Sequence, residues 1–486
     1  MKLSEIIDKN EYIFSEINED QSFEYITTDI KKTTDNSILI IPNSSKLPSV
    51  FSFEEKPIAV ICDSLAPIPK DVPRICVSNP RLAMANAFYR YEHLDTEGMK
   101  IIGVTGTNGK SSTAYFIERV LTGCGYKVGF IGTGKIKISN EEINEQNYSM
   151  TTPDPELLYK SLRKMKEAGC DAVVMEVSSH ALALDKVAPI RFDYGVFTNL
   201  SPEHMDFHGS MEDYFLAKNK LFEKCKCSVF NIDDEYVRKA HQICKGKKLS
   251  AGILWRGDVW ASNIENRGFE GIGYIYHSDT FSCKMNLQTA GIYNAYNSML
   301  ATAVCTDMEC KPCEIKRIIS EITSIDGRFE IIKDKITVII DYAHTNSAFT
   351  SIMKELFSIK GDRKLTVVFG CGGNRDKYKR PRMAKTAEKY ADKIIITNDN
   401  PRNENPKDII ADIIRGFNVG HYEVIENRRQ AIHSALLNAK DGEIVAIVGK
   451  GPEKYNLDKN GYQEFNEREV IASTLRERRS LEPLCE

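Results

Sequence analysis

Residues 101–120, IIGVTGTNGKSSTAYFIERV, constrain the fold more than any other stretch of the chain. An apolar run leads into a glycine turn, and the turn leads into a helical pattern. That order reads as a buried strand handing the chain to the N-terminus of a helix. A strand with no polar face needs cover on both sides, so it belongs in a mostly parallel sheet between helices. The turn is suited to anions. Gly106 and Gly109 let backbone N–H groups aim at phosphate oxygens, and a helix starting near Lys110 adds its positive end. Lys110 would neutralise the outer phosphates, and Ser111 would offer a hydroxyl to Mg²⁺. The spacing is not the usual G-x-x-x-x-G-K-[ST]. Its first glycine would fall at Val104, whereas the glycine stands at Gly106.

The same alternation recurs along the chain. In residues 1–98, SILIIP, IAVICD and RICVSN read as strands and PRLAMANAFYRYE as a helix, a small α/β unit. A new strand begins after Gly98 and Met99. Residues 99–327 carry the strands IIGVTG, KVGFIG, DAVVMEV and YGVFTNL with amphipathic helices such as DPELLYKSLRKMKEAG between them. The later stretch DVWASNIENRGFEGIGYIYHSDTFSCKMNL alternates more strictly and predicts antiparallel strands. In residues 328–486 the pattern restarts with ITVIIDYAH, KLTVVFGC, KIIITND, YEVIEN and EIVAIVGK, a second doubly wound unit. The expected fold is α/β in three domains, with a phosphate-loop sheet in the centre and a Rossmann-like sheet at the C-terminus. A chain of 486 residues accommodates this at roughly 100–200 residues per domain.

Charge and composition exclude several classes. With 65 basic and 68 acidic residues the net charge is −3, so no global field attracts nucleic acid or anionic lipid. No apolar run approaches the roughly 18 residues that read as a membrane span, and the acid-rich N-terminus lacks the apolar core of a signal peptide. A cytoplasmic monomer without nucleic-acid or membrane partners is expected. Its 13 cysteines should then be mostly reduced thiols. Cys305, Cys310 and Cys313 have the spacing of a plant-type ferredoxin ligand set, but no fourth cysteine is placed to complete a cluster. Cys225 and Cys227, at the end of a helical stretch, are expected to pack.

Two further motifs carry chemistry. The strand DAVVMEV ends in Glu176, and an acid at that end of a nucleotide-binding sheet faces the crevice and can hold Mg²⁺. In FTNLSPEHMDFHGSMEDYFLAKNKLF, His204, Asp206 and His208 cluster just after another strand, a grouping that suits a metal or an active site. Together with TTPDP, MEVSSHAL, GIYNAYNSMLA, DGRFE, DYAHT, GCGGNRDKYKRP, DNPRNENP and GKGPE, these motifs run in one order. The chain resembles the Mur ligases of peptidoglycan synthesis, ATP-dependent amide-forming enzymes whose phosphate loop has the short form G-T-N-G-K-[ST]. The similarity runs from about residue 75 to the end, and it is strongest to the members that add the third peptide residue, UDP-N-acetylmuramoyl-dipeptide ligases.

The resemblance implies a mechanism. The γ-phosphate of ATP passes to the substrate's terminal carboxylate, and the amine attacks the resulting acyl phosphate. It also implies residue roles. Gly106, Thr107, Asn108, Gly109, Lys110, Ser111 and Ser112 form the phosphate loop, with Lys110, Glu176, His204 and Lys218 as the catalytic set. Ser111, Glu176, His204 and Lys218 are the Mg²⁺ ligands, Lys218 as a carbamate. Asn294 and Asn297 match positions near the adenine. Arg328, Asp341 and His344 match nucleotide contacts of the last domain. Thr151, Thr152, Ser178 and Lys186 match the UDP-sugar peptide site.

DNPRNE matches the form associated with meso-diaminopimelate rather than lysine. Arg402 can make a two-pronged bond to the distal carboxylate that lysine lacks. Arg375 would take the other carboxylate, and Asp399, Asn400, Pro401, Gly449 and Glu453 complete the expected amino-acid site. Departures gather at the substrate ends. ITTDIKKTTDN replaces a D-S-R-like motif, Lys186 stands where an arginine is usual, and Pro452 stands for the histidine of G-K-G-H-E. Proline removes a backbone donor and stiffens that loop. The alternatives are a paralogous amide ligase acting on another carboxylate, a non-catalytic binding protein, and the related folate glutamate ligases.

Overall fold

In the computed structural model, residues 1–47, 52–143 and 150–481 are described. Three sheets follow one another along the chain. The first runs in the order Tyr12–Ser15, Arg74–Val77, Ala59–Cys62, Ser37–Ile40, Tyr25–Thr27, and only its first pair is antiparallel. The flanking strands Tyr12–Ser15 and Tyr25–Thr27 were not expected from sequence, because neither is a continuous apolar run. The helix Pro80–Tyr91 closes this unit. Pro80 occupies a first-turn position that needs no N–H donor, and the Asn79 side chain accepts from Leu82 N.

The central sheet explains how distant motifs meet. Its order is Ser282–Leu287, Ile272–His277, Val259–Asn266, Lys247–Gly252, Cys225–Asn231, Phe192–Phe197, Lys100–Thr105, Ala172–Glu176, Val128–Gly132, Lys135–Ile138, Glu141–Glu142. Every pair from Val259–Asn266 across to Val128–Gly132 is parallel. The expected antiparallel strands lie at the far edge. Strand Lys100–Thr105 sits between Ala172–Glu176 and Phe192–Phe197, with Glu176 level with Val104 and Phe197 level with Thr105. The chain leaves all three strands at the same edge, so the glycine loop, Glu176 and the His204 segment converge there. Cys225 and Cys227 are a correction: they belong to the strand Cys225–Asn231, not to a helix end. The chain turns through Phe222–Lys224 first, and its alternating apolar residues then pair with both neighbours. The described cysteines are all free thiols.

The last sheet runs Glu330–Lys333, Thr337–Asp341, Ile444–Val448, Leu365–Phe369, Lys393–Ile396, Glu423–Val424, parallel after its first pair. YEVIEN supplies only the two-residue edge strand Glu423–Val424. Asp341 and Phe369 are both level with Val448, so the loops after these strands open on one side. A hairpin, Tyr455–Asp458 with Gly461–Glu464, folds back beside them. Buried side chains pack on both faces of this sheet, as its continuous apolar strands require. No helix among the described residues is long and apolar enough to cross a membrane.

Candidate active site

A cavity of about 850 Å³ lies where the open edges of the central and last sheets face each other. Gly106, with φ 149°, and Gly109, with φ 83°, make the turn between the strand Lys100–Thr105 and the helix Lys110–Gly123. A Cβ on Gly106 would lie 1.9 Å from Thr198 Oγ1, so only glycine fits. The loop is braced from behind. Thr107 N donates to Asn199 O and Asn108 N to Asn199 Oδ1, both at 2.9 Å. Thr198 Oγ1 and Asn199 Nδ2 donate to Asn108 O. Ser112 is buried below the loop.

The two lysines at the loop bond its carbonyls. Lys110 Nζ donates to Gly106 O at 3.0 Å and to Thr107 O at 2.9 Å. Lys218, fully buried, donates to Gly106 O at 2.9 Å. Burial, and then the Lys110 charge, hold Lys218 well below the ordinary lysine value. Burial also lowers Lys110, against the pull of Glu203 and Glu176.

Ser111 Oγ donates to Glu176 Oε2 at 2.8 Å, and Thr133 N donates to Glu176 Oε1 at 3.0 Å. A hydroxyl and a carboxylate side by side are hard oxygen donors. Mg²⁺ is ordinarily held by one or two carboxylates with substrate phosphates and water, so this donor set fits it. Among the described residues no group of three or more His, Cys, Asp or Glu converges as a self-sufficient metal cage.

His204 adopts a left-handed backbone, φ 57°, at the start of the short helix Met205–His208. Its ring stands edge-on to His180 at 4.8 Å. Burial, and then the neighbouring His180 and His344, pull His204 down to about 2, so the imidazole is neutral with a lone pair to give. Glu203, which the sequence reading did not single out, brings Oε1 to 3.5 Å from His204 Nε2 and 4.0 Å from His344 Nε2. Burial raises Glu203, and Lys110, Lys379 and Lys218 oppose the rise. The signal was its place in SPEHMD, overshadowed by the adjacent histidine.

Next to Glu176, Thr152 Oγ1 donates to Glu176 O at 2.9 Å and receives Ser178 N at 3.0 Å. Thr151 Oγ1 lies 3.1 Å from Thr133 Oγ1. Lys186 reaches the cavity wall and pairs with Asp154 at 2.6 Å. Asn297 lines the cavity and takes a bond from Thr113 Oγ1. Asn294, fully buried, stands behind Asn297 and accepts from its Nδ2 at 3.4 Å.

From the last sheet, Arg328 Nη2 donates to Ser111 Oγ at 2.8 Å. Asp341 accepts from Phe329 N and Ala343 N, both at 2.7 Å, which fixes the turn leading to His344. His344 Nδ1 lies 2.8 Å from Tyr342 O, and burial takes His344 down to about 3. Arg375 and Arg402 also line the cavity. Arg402 has a left-handed φ of 53°, and its Nη1 donates to Gly373 O at 2.9 Å.

The rest of the expected amino-acid set is divided. Glu453 faces the cavity. Asn400 instead supports it: Nδ2 donates to Glu453 Oε2 at 2.8 Å, while Oδ1 accepts from Lys450 Nζ at 2.7 Å and Leu457 N at 2.9 Å. Asp399 is buried behind Gly449, 3.5 Å from Lys450 Nζ. Pro401 closes against Gly373. Lys450 was also missed. It lies in the quoted GKGPE motif, where a buried lysine looks like an exposed one. Pro452 packs with Gly451 against Gly327, whose own Cβ would meet Gly451 C at 2.4 Å.

A parallel sheet that turns its phosphate loop, its strand-end acid and the basic loops of a second sheet onto one cavity defines a nucleotide-dependent, phosphoryl-transferring enzyme. Comparison with known proteins narrows the class. Residues 104–305 match the Mur ligase middle domain, and residues 327–451 match the Mur ligase glutamate ligase domain. A UDP-N-acetylmuramoyl-L-alanyl-D-glutamate–2,6-diaminopimelate ligase of Clostridium acetobutylicum is 36% identical over 419 residues, covering 84% of this chain and 86% of its own. The ligase of the same name from Caldanaerobacter subterraneus is 39% identical over 408 residues, covering 83% of each. A solved structure of a ligase of that name superposes with TM-score 0.67 at 25% identity over 99% of both chains. The chain belongs to the Mur ligase family.

Proposed function

We propose that this protein adds meso-diaminopimelate to UDP-MurNAc-L-Ala-D-Glu in the cytoplasm, with ATP and Mg²⁺, and works as three units, 1–98, 99–327 and 328–486. The observation that carries the reading is the cavity itself, lined by both the phosphate loop and the Arg375–Arg402 pair.

A carboxylate is a poor electrophile, so the reaction needs a leaving group, which the γ-phosphoryl group supplies. Lys110 and the loop N–H groups hold the phosphates, and Arg328 reaches the same point from the facing sheet. Ser111 and Glu176, with His204, would hold Mg²⁺, which neutralises phosphate charge when bound. Thr151, Thr152 and Ser178 lie beside Glu176, where the acceptor carboxylate has to arrive, and Lys186 lines the same cavity. Lys218, kept short of protons by burial, is suited to carry a carbamate. Arg402 and Arg375 orient the diamino acid, and Glu453 receives its ammonium group. Holding amine and acyl phosphate together turns a bimolecular attack into a local one.

The test uses acceptor labelled with ¹⁸O in its terminal carboxylate. The reading predicts one label in each phosphate released, because the acceptor oxygen leaves with the phosphoryl group. Unlabelled phosphate would refute acyl-phosphate formation.

A further inference from the structure

Tyr342 follows the strand Thr337–Asp341, and nothing above gives it a role. Its backbone is fixed from two sides: Tyr342 N donates to Gly327 O at 2.9 Å, and a Cβ on Gly451 would meet Tyr342 Cβ at 2.6 Å. Its side chain lines the cavity. On one side the Arg328 guanidinium lies 4.6 Å over the ring, and Arg328 is the group that reaches Ser111. On the other side the hydroxyl donates to Glu453 Oε1 at 3.1 Å. The second oxygen of Glu453 is held by Asn400, which Lys450 holds in turn.

We propose that Tyr342 is the positioning residue for both ends of the cavity, its ring setting Arg328 for the phosphates and its hydroxyl setting Glu453 for the incoming amine. This rests on the reading of the Glu453 end as the amino-acid site. The two halves separate by chemistry. Phenylalanine keeps the ring and loses the hydroxyl, whereas leucine loses both.

Kinetics of Tyr342→Phe should show KM for diaminopimelate raised about 5- to 10-fold, the loss of one bond to a charged group, with KM for ATP and kcat within about twofold of wild type. In a Glu453→Ala background the same change should add nothing, because the group that accepts from the hydroxyl is gone. Calorimetry with a non-hydrolysable ATP analogue and no amino acid should show Tyr342→Leu binding about 3- to 10-fold more weakly than Tyr342→Phe. Unchanged KM for the diamino acid in Tyr342→Phe, additive effects with Glu453→Ala, or equal nucleotide binding by the two variants would each overturn the proposal. Wild-type protein that fails to turn over diaminopimelate would count against the substrate reading, and the nucleotide comparison would still decide the role of the ring.

Discussion

Arg375 and Arg402 face one end of the cavity, and burial, followed by the Arg402 charge, lowers Arg375 from the ordinary arginine value. Among the described residues Arg375 makes no hydrogen bond, while Arg402 is pinned through Nη1 alone. Two cations held close together in this way suit a ligand with two carboxylates. Arg402→Leu is therefore expected to raise KM for diaminopimelate by about 30- to 100-fold, the cost of a charge-assisted two-pronged bond, with kcat much less affected. Steady-state kinetics with both diaminopimelate and L-lysine would check this, since lysine should lose little.

The histidines make a separate prediction. Burial is the main cause that takes His180 down to about 4, His204 to about 2 and His344 to about 3, all below the ordinary 6.5. On unfolding they regain protons, so the unfolded state binds more protons than the fold below about pH 6.5. Stability should be full above that pH and fall as pH drops from about 6.5 towards 4. Melting temperature against pH in ligand-free protein would show it, with a shallower fall in His180→Gln.

At the scale of elements, the turns carry the precision of the site. Gly106→Ala would drive a Cβ into Thr198, so nucleotide binding should be lost while the sheets still form. Gly327 has φ 61° and backs the Gly451–Pro452 turn, so Gly327→Ala should lower the melting temperature and weaken diaminopimelate more than ATP. Thermal melts and the two KM values test the pair.

These elements also show what a sequence can tell. The strand Lys100–Thr105, its glycine turn and the following helix were legible because periodicity and turn chemistry agree. Glu176 and the His204 cluster were legible as strand-end polar residues. The two outer strands of the first sheet were not, because each is short and partly exposed. Cys225 and Cys227 were misplaced because a few alternating residues do not separate a strand from the end of a helix. Lys450, Glu203 and Tyr342 escaped for another reason. Each depends on a partner far off in sequence, Asn400 for Lys450, His344 for Glu203 and Glu453 for Tyr342, and burial decides its meaning.

At the scale of the whole molecule, the central and last sheets are already joined across the cavity. Arg328 bonds Ser111, and Ser347 Oγ receives Asn108 Nδ2 at 3.3 Å and lies 3.2 Å from Ser201 Oγ. Most of these cross-sheet contacts fall on the phosphate loop and the segment after Phe197, so nucleotide must enter between the partners that form them. The last unit is therefore expected to open and close about the central one. Small-angle scattering should show a smaller radius of gyration with an ATP analogue and acceptor than without, and identical curves would contradict the motion.

The most direct measurement is phosphate release with ATP, Mg²⁺ and UDP-MurNAc-L-Ala-D-Glu, with either meso-diaminopimelate or L-lysine, and Lys110→Ala as the blank. Sustained turnover with diaminopimelate and little with lysine is the predicted result. Turnover with neither amino acid, in protein that still binds ATP, would contradict the account and point to a different carboxylate acceptor.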